Sequence, residues 1–175
     1  MSKLKSLTKP HWLPAPDLEA WLSMVALSTL LPAALDTQLI KDSGITHFDY
    51  MVMSMLAEAQ DRTLRMSELA TRTNASLSRL SHVVKKLESK GLIQRVACET
   101  DARATNAHLT RLGFQTWLES APKHLAEVRR IVFDTLTPQE IETMKVISQK
   151  LTQKLDPERK MVLRKPKNQN NLNAD

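Results

Sequence analysis

The stretch NASLSRLSHVVKKLESKGLIQR, residues 74–95, decides the architecture. At 100° per residue, Leu77, Leu80, Val84 and Leu87 fall on one face of a helix, with Val83 at its border. The opposite face shows Ala75, Ser78, Arg79, His82, Lys85, Lys86 and Ser89. The pattern predicts a helix capped by Asn74 and running to Lys90. Gly91 stands where a left-handed residue closes a helix, and Leu92 is then placed to contact Leu87 in a Schellman motif.

Beyond Gly91 the period changes. Leu92 to Cys98 reads as a strand, residues 99–104 (ETDARA) as a polar turn and residues 105–110 as a second alternating run. Upstream, Thr46 starts a helix with Phe48, Met51, Met55 and Leu56 on its apolar face, and Ser67 starts a short one. Helix, helix, helix, hairpin is the order of a winged helix-turn-helix, predicted over residues 46–110.

Longer helices flank this block. Asp17 reads as the N-cap of the first, with Leu18, Trp21, Leu22 and Val25 in register, a kink or restart at Pro32 and an end near Gly44. Residues 111–136 form another, with Pro122 as a kink. Thr137-Pro138-Gln139-Glu140 is a capping box with Pro at N1, opening a helix striped by Ile141, Met144, Ile147, Leu151 and Leu155. The expected class is therefore mainly α with a small antiparallel β-hairpin wing, flanked by N- and C-terminal helices at residues 17–45 and 111–156 whose apolar stripes are too extensive for one small wing domain to cover. Residues 1–16 read as an irregular arm, and residues 157–175 as a polar, flexible tail.

Charge is distributed unevenly. Residues 61–111 carry ten Lys/Arg against five Asp/Glu, whereas residues 1–60 carry four against six. Residues 112–157 balance at six each, and residues 158–175 carry five against two. A central basic block suits a polyanion, because each neutralised phosphate releases counterions. One cysteine excludes an internal disulfide framework and suits a reducing cytoplasm. No secretory h-region and no membrane-spanning run is read; Pro32 interrupts the longest apolar segment. The five histidines show no metal-binding spacing, and no catalytic or phosphate-cradling motif is present, so an enzyme, a metal or a cofactor is not expected.

A helix entering the major groove docks through its leucines and presents small, hydrogen-bonding side chains to base edges. Arg79 suits a guanine edge, Ser78 and His82 lie beside it, and Ser76 in the first turn suits a phosphate. Lys86 shares that face, and Arg95 at the start of the wing is a candidate phosphate contact.

Residues 64–113 resemble the MarR family of bacterial regulators. The likeness rests on Leu87 to Arg95 (LESKGLIQR), on Asp101-Ala102-Arg103 and on Leu109-Thr110 with Gly113. It implies that Arg103 enters the minor groove from the wing, held by Asp101, and that the N- and C-terminal helices at residues 17–45 and 111–156 are dimerisation helices, interlocking two subunits that read a palindrome. Ala102 stands where the family often has a basic residue, which weakens phosphate contact there. The resemblance also implies a homodimeric, sequence-specific regulator of double-stranded DNA, a repressor relieved by a small phenolic or anionic effector. Trp21, Phe48, Met51, Met55 and Trp117 are candidates to line the effector cleft, although such residues also make plain core. Cys98 on the wing reads as a semi-buried thiol, and His124 as solvated or at an interface. The competing readings are a nonspecific or architectural DNA-binding protein and a winged-helix module that binds proteins.

Overall fold

The computed structural model describes residues 12–98 and 101–161, with the side chains of Ala102 and Arg103 outside the description. The arm and tail expected at the two ends lie largely outside the described residues. The chain divides into two compact units between Ala34 and Leu35. Helix α1 (Ala15–Ser43) begins two residues before Asp17, which occupies its first turn instead of capping it. It also continues through Pro32 without restarting. As a result α1 is, by length and composition, apolar enough to cross a bilayer, contrary to the sequence expectation that no run qualifies.

Gly44, at φ +67°, ends α1, and Thr46 then opens α2 (His47–Ala57). The Thr46 hydroxyl accepts from the Asp49 amide at 3.1 Å, and the Asp49 carboxylate accepts from the Thr46 amide at 2.8 Å. Two orphan donors of the first turn are thereby satisfied. The buried face of α2 is Asp49, Val52, Met53, Met55 and Leu56, so it is turned relative to the expected stripe; Phe48 and Met51 are half-buried.

A three-residue strand, β1 (Thr63–Arg65), precedes α3 (Met66–Arg72). It pairs with β3 (Asp101–Leu109), which also pairs with β2 (Ile93–Cys98), giving an antiparallel sheet in the order β1-β3-β2. The wing is thus a three-stranded sheet and not a lone hairpin. Its registers set Leu64 opposite Ala107 and Ile93 opposite Leu109, which turns all four side chains into the core. Strand β3 starts at Asp101, within the expected turn, and the ladder shifts register between Ala97 and Cys98.

Helix α4 (Leu77–Ser89) is capped by Ser76, whose hydroxyl accepts from the Arg79 amide at 3.2 Å. Asn74 instead closes α3. It adopts φ +50°, while the Asn74 amide reaches Thr71 O at 3.1 Å and the Ala75 amide reaches Ala70 O at 2.9 Å. That is a Schellman end, and asparagine tolerates the left-handed conformation it requires. At the other end of α4, Gly91 has φ +72°, its amide meets Glu88 O at 2.9 Å, and the Leu92 amide meets Leu87 O at 3.0 Å. The closure read from the sequence is therefore present in full.

Leu39, Ile45, Val52, Leu56, Leu69, Leu80, Val84, Leu87, Ile93 and Leu109 fill the core of the Leu35–Asp175 unit. Helix α5 (Arg111–Ile131) begins at Thr110, whose hydroxyl accepts from the Gly113 amide at 3.0 Å. A Cβ on Gly113 would collide with the Leu92 carbonyl oxygen, so only glycine allows α5 to start this close to the wing. A 3-10 turn (Phe133–Thr135) ends the segment expected to be helical to Leu136, and α6 (Pro138–Leu155) follows with its capping box formed.

Candidate nucleic-acid interface

Helix α4 divides by burial much as its sequence divides by polarity. Leu80, Val84 and Leu87 are fully buried, whereas Ser76, Ser78, Arg79, His82, Lys85, Lys86 and Ser89 are exposed. Leu77 departs from the expected docking face: it is 53% exposed. The candidate reading surface is consequently Ser78, Arg79 and His82, with Leu77 beside them.

Several of the predicted side chains have internal partners. The Arg79 guanidinium lies 4.3 Å from the centre of the Phe48 ring, a cation–π contact that tethers it to α2. Lys86 Nζ donates to Asp49 Oδ2 at 2.6 Å, and Asp49 is fully buried. Arg95 Nη2 donates to the Ser81 carbonyl at 2.9 Å, while the Arg95 amide donates to Glu88 at 3.1 Å. Arg95 thus braces the root of the wing against α4. The Ser76 hydroxyl is engaged as the helix cap.

At the wing, Asp101 lies 3.6 Å from Arg65 Nη1, and Arg65 Nη2 lies 3.4 Å from the half-buried Cys98 Sγ. Arg65 on β1 was not anticipated, because β1 itself was not. The Arg103 side chain, and its expected pairing with Asp101, fall outside the described residues. Sequence reasoning also missed Phe48 and Asp49 as supports of α4. The Asp49 cap was legible as Thr46-His47-Phe48-Asp49, but nothing local signals a tertiary partner 37 residues away.

A second feature lies between α2 and α5. A cleft of about 260 Å³ is lined by His47, Tyr50, Met51, Ser54, Met55, Glu58 and His124. Of the five expected lining residues, Met51 and Met55 are in its wall, and Trp117 bonds that wall through its indole N–H to Ser54 Oγ at 2.9 Å. His124 is neither solvated nor at a free surface; it is 6% exposed, with its ring 4.5 Å from Tyr50 and 5.5 Å from His47. The Nδ1 atoms of His47 and His124 are buried without a hydrogen-bond partner. Burial lowers the pKa of both imidazoles; the neighbouring His47 lowers that of His124 further, and Asp36 partly offsets the shift at His47. Among the described residues no group of three or more metal-ligating side chains occurs.

Comparison with known proteins fits this geometry. A family model described as MarR family matches residues 43–104. Sco3205 from Streptomyces coelicolor, a MarR family transcriptional regulator solved in complex with DNA, is 38% identical with a TM-score of 0.80. The alignment covers 86% of this chain and 94% of Sco3205. This chain belongs to the MarR family. AbsC, another MarR family regulator of that organism, is 36% identical over 81% of this chain and 98% of its own, with a TM-score of 0.73. The HTH-type transcriptional regulator MhqR of Bacillus subtilis is 28% identical over 103 residues, 59% of this chain and 69% of MhqR. The MarR-family assignment makes the protein a DNA-binding transcriptional regulator with the winged-helix fold of that family.

Proposed function

We propose that this MarR-family chain is a cytoplasmic, homodimeric repressor that reads a palindromic operator and is released by a small phenolic or anionic effector. The observation that carries the DNA reading is the split of α4. Three apolar residues anchor it in the core, and Ser78, Arg79 and His82 stand outward from its first two turns. Arg79 reads a guanine edge, Ser78 allows close approach, and His82 adds a hydrogen-bonding ring. Ser76 presents the helix start to a phosphate. Lys86, Arg95 and Asp101 contribute by holding α4 and the wing in place, and Arg103 enters the minor groove.

Exposed apolar stripes support the dimer. Trp21, Leu22, Leu27 and Leu30 on α1, Leu125 on α5, and Ile147 and Leu151 on α6 are each 46–67% exposed. Apolar faces of this extent call for cover, and a second copy supplies it while placing two recognition helices about 34–36 Å apart. The same cover accounts for the apolar length of α1 without a bilayer. The α2–α5 cleft supports the effector. Its two histidines, whose burial favours the neutral imidazole, suit a phenol hydroxyl or an acid, and its methionines offer adaptable apolar walls.

Footprinting against genomic fragments, including the regulator's own promoter, tests this reading. A two-fold protected site whose occupancy falls steeply with salt is expected. Equal affinity for random and selected duplex at matched salt would instead favour a nonspecific or architectural role. The aspartate substitutions Ile147→Asp and Leu151→Asp should yield monomers by sedimentation velocity and abolish the two-fold footprint.

A further inference from the structure

Arg79 and Lys86 stand about two turns apart on α4 and so share one flank of that helix. Consecutive residues of α2 meet them. Lys86 Nζ donates to Asp49 Oδ2 at 2.6 Å, and the Arg79 guanidinium carbon lies over the Phe48 ring, 4.3 Å from its centre. The ring beneath Arg79 is itself held. Phe48 lies in the first turn of α2, within the capping box that joins Thr46 to Asp49, and its half-buried side chain packs against the core. The Asp49–Lys86 bond then pins the end of α2 that bears the ring to α4.

The contact leaves the donors of Arg79 available. A ring attracts a guanidinium through its π face, and that attraction consumes none of the five N–H groups. Among the described residues, none accepts a hydrogen bond from the Arg79 side chain or forms an ion pair with it. Reading O6 and N7 of a guanine requires two such donors side by side in the plane of the base. An exposed arginine spreads its donors over many directions, so a surface that restrains the guanidinium lowers the ordering cost of binding.

We propose that Phe48 is a positioning residue for base readout: its ring is the platform that aims the Arg79 guanidinium at a guanine edge and so sets part of the preference for one duplex over another. The proposal rests on Arg79 being a reading residue of α4. It gives α2 a share in specificity, although the candidate reading surface lies wholly on α4. Because the platform acts only through Arg79, its loss lowers affinity for the preferred duplex and leaves phosphate-driven, nonspecific binding as it is.

The test measures binding of the full chain to a selected duplex and an unrelated one at matched salt, by fluorescence anisotropy. The variants are Phe48→Leu, Phe48→Met and Phe48→Tyr, each with and without Arg79→Ala. Leucine and methionine are apolar without a π face and differ in shape, so a packing defect peculiar to one is told apart by the other; tyrosine keeps the ring. Phe48→Leu and Phe48→Met are expected to bind the selected duplex about 2–5-fold more weakly, the worth of one exposed cation–π contact, with the unrelated duplex unaffected. Phe48→Tyr should bind like the parent, and in the Arg79→Ala background no change at Phe48 should matter. An equal loss on both duplexes, or the same loss without Arg79, overturns the platform, because Phe48 then serves folding alone. Unchanged or tighter binding of the selected duplex by both apolar variants also overturns it, and leaves the reading by α4 intact if Arg79→Ala loses the preference. If Arg79→Ala keeps the parent's preference, the reading role of Arg79 fails and the platform fails with it.

Discussion

Lys86 Nζ lies 2.6 Å from Oδ2 of Asp49, joining the exposed face of α4 to a carboxylate that is 1% exposed at the start of α2. Removing the lysine strands a buried charge that retains only the Thr46 amide as a described partner on that oxygen. Lys86→Ala should cost about 1–3 kcal/mol, less than a fully buried pair, because Lys86 itself is 43% exposed. Adding Asp49→Asn should recover much of that loss, since a neutral amide keeps an oxygen for the cap. Urea midpoints at constant m-value measure both, and a single variant as stable as the parent would show the pair to be energetically idle.

Gly113 offers a sharper steric test. Its missing Cβ is what lets α5 begin against the Leu92 carbonyl. Gly113→Ala should lose about 1–3 kcal/mol even though alanine favours helices, because backbone and not a flexible side chain blocks the way. A thermal midpoint equal to or above that of the parent would remove the close approach from the account.

Arg103 is expected to matter for DNA and not for folding. Arg103→Ala should weaken operator binding about 10–100-fold, the order of one lost groove contact, with the sedimentation profile unchanged. Unaltered affinity in a gel-shift titration removes Arg103 from the interface.

The His47–His124 pair sets an acid limit. Both folded pKa values lie below the unfolded value near 6.5, so the unfolded chain binds more protons in the window below 6.5. Stability from the pair is complete above about pH 6.5 and declines as pH falls from there toward the folded values. His47→Gln with His124→Gln should flatten that decline in a pH series of urea midpoints; a slope like that of the parent between about pH 5 and 6.5 would falsify the assignment.

Much of the fold was legible because its boundaries are local chemistry. Gly91, the Thr137–Glu140 box and the period change at Leu92 each settle an element within a few residues, and each is present in the structure. Errors arose where a residue could serve either of two neighbouring helices. Asn74 suits an N-cap and a left-handed C′ position equally well by type, and the Ala70 carbonyl decided between them. Strand β1 is three residues long and exists only because β3 offers it an edge, so no period could reveal it. At the site, outward direction on α4 was readable from periodicity. What each cation touches depends on Phe48, Asp49, Ser81 and Arg65, all distant in sequence, and was not.

Helix α2 is therefore a shared lever. Its Phe48 and Asp49 grip Arg79 and Lys86, while its Met51 and Met55 form the wall of the cleft toward α5. An effector in that cleft, as proposed above, would press on the same helix that holds Arg79 and Lys86. Both contacts then sit one element away from the bound molecule, without need of a longer relay.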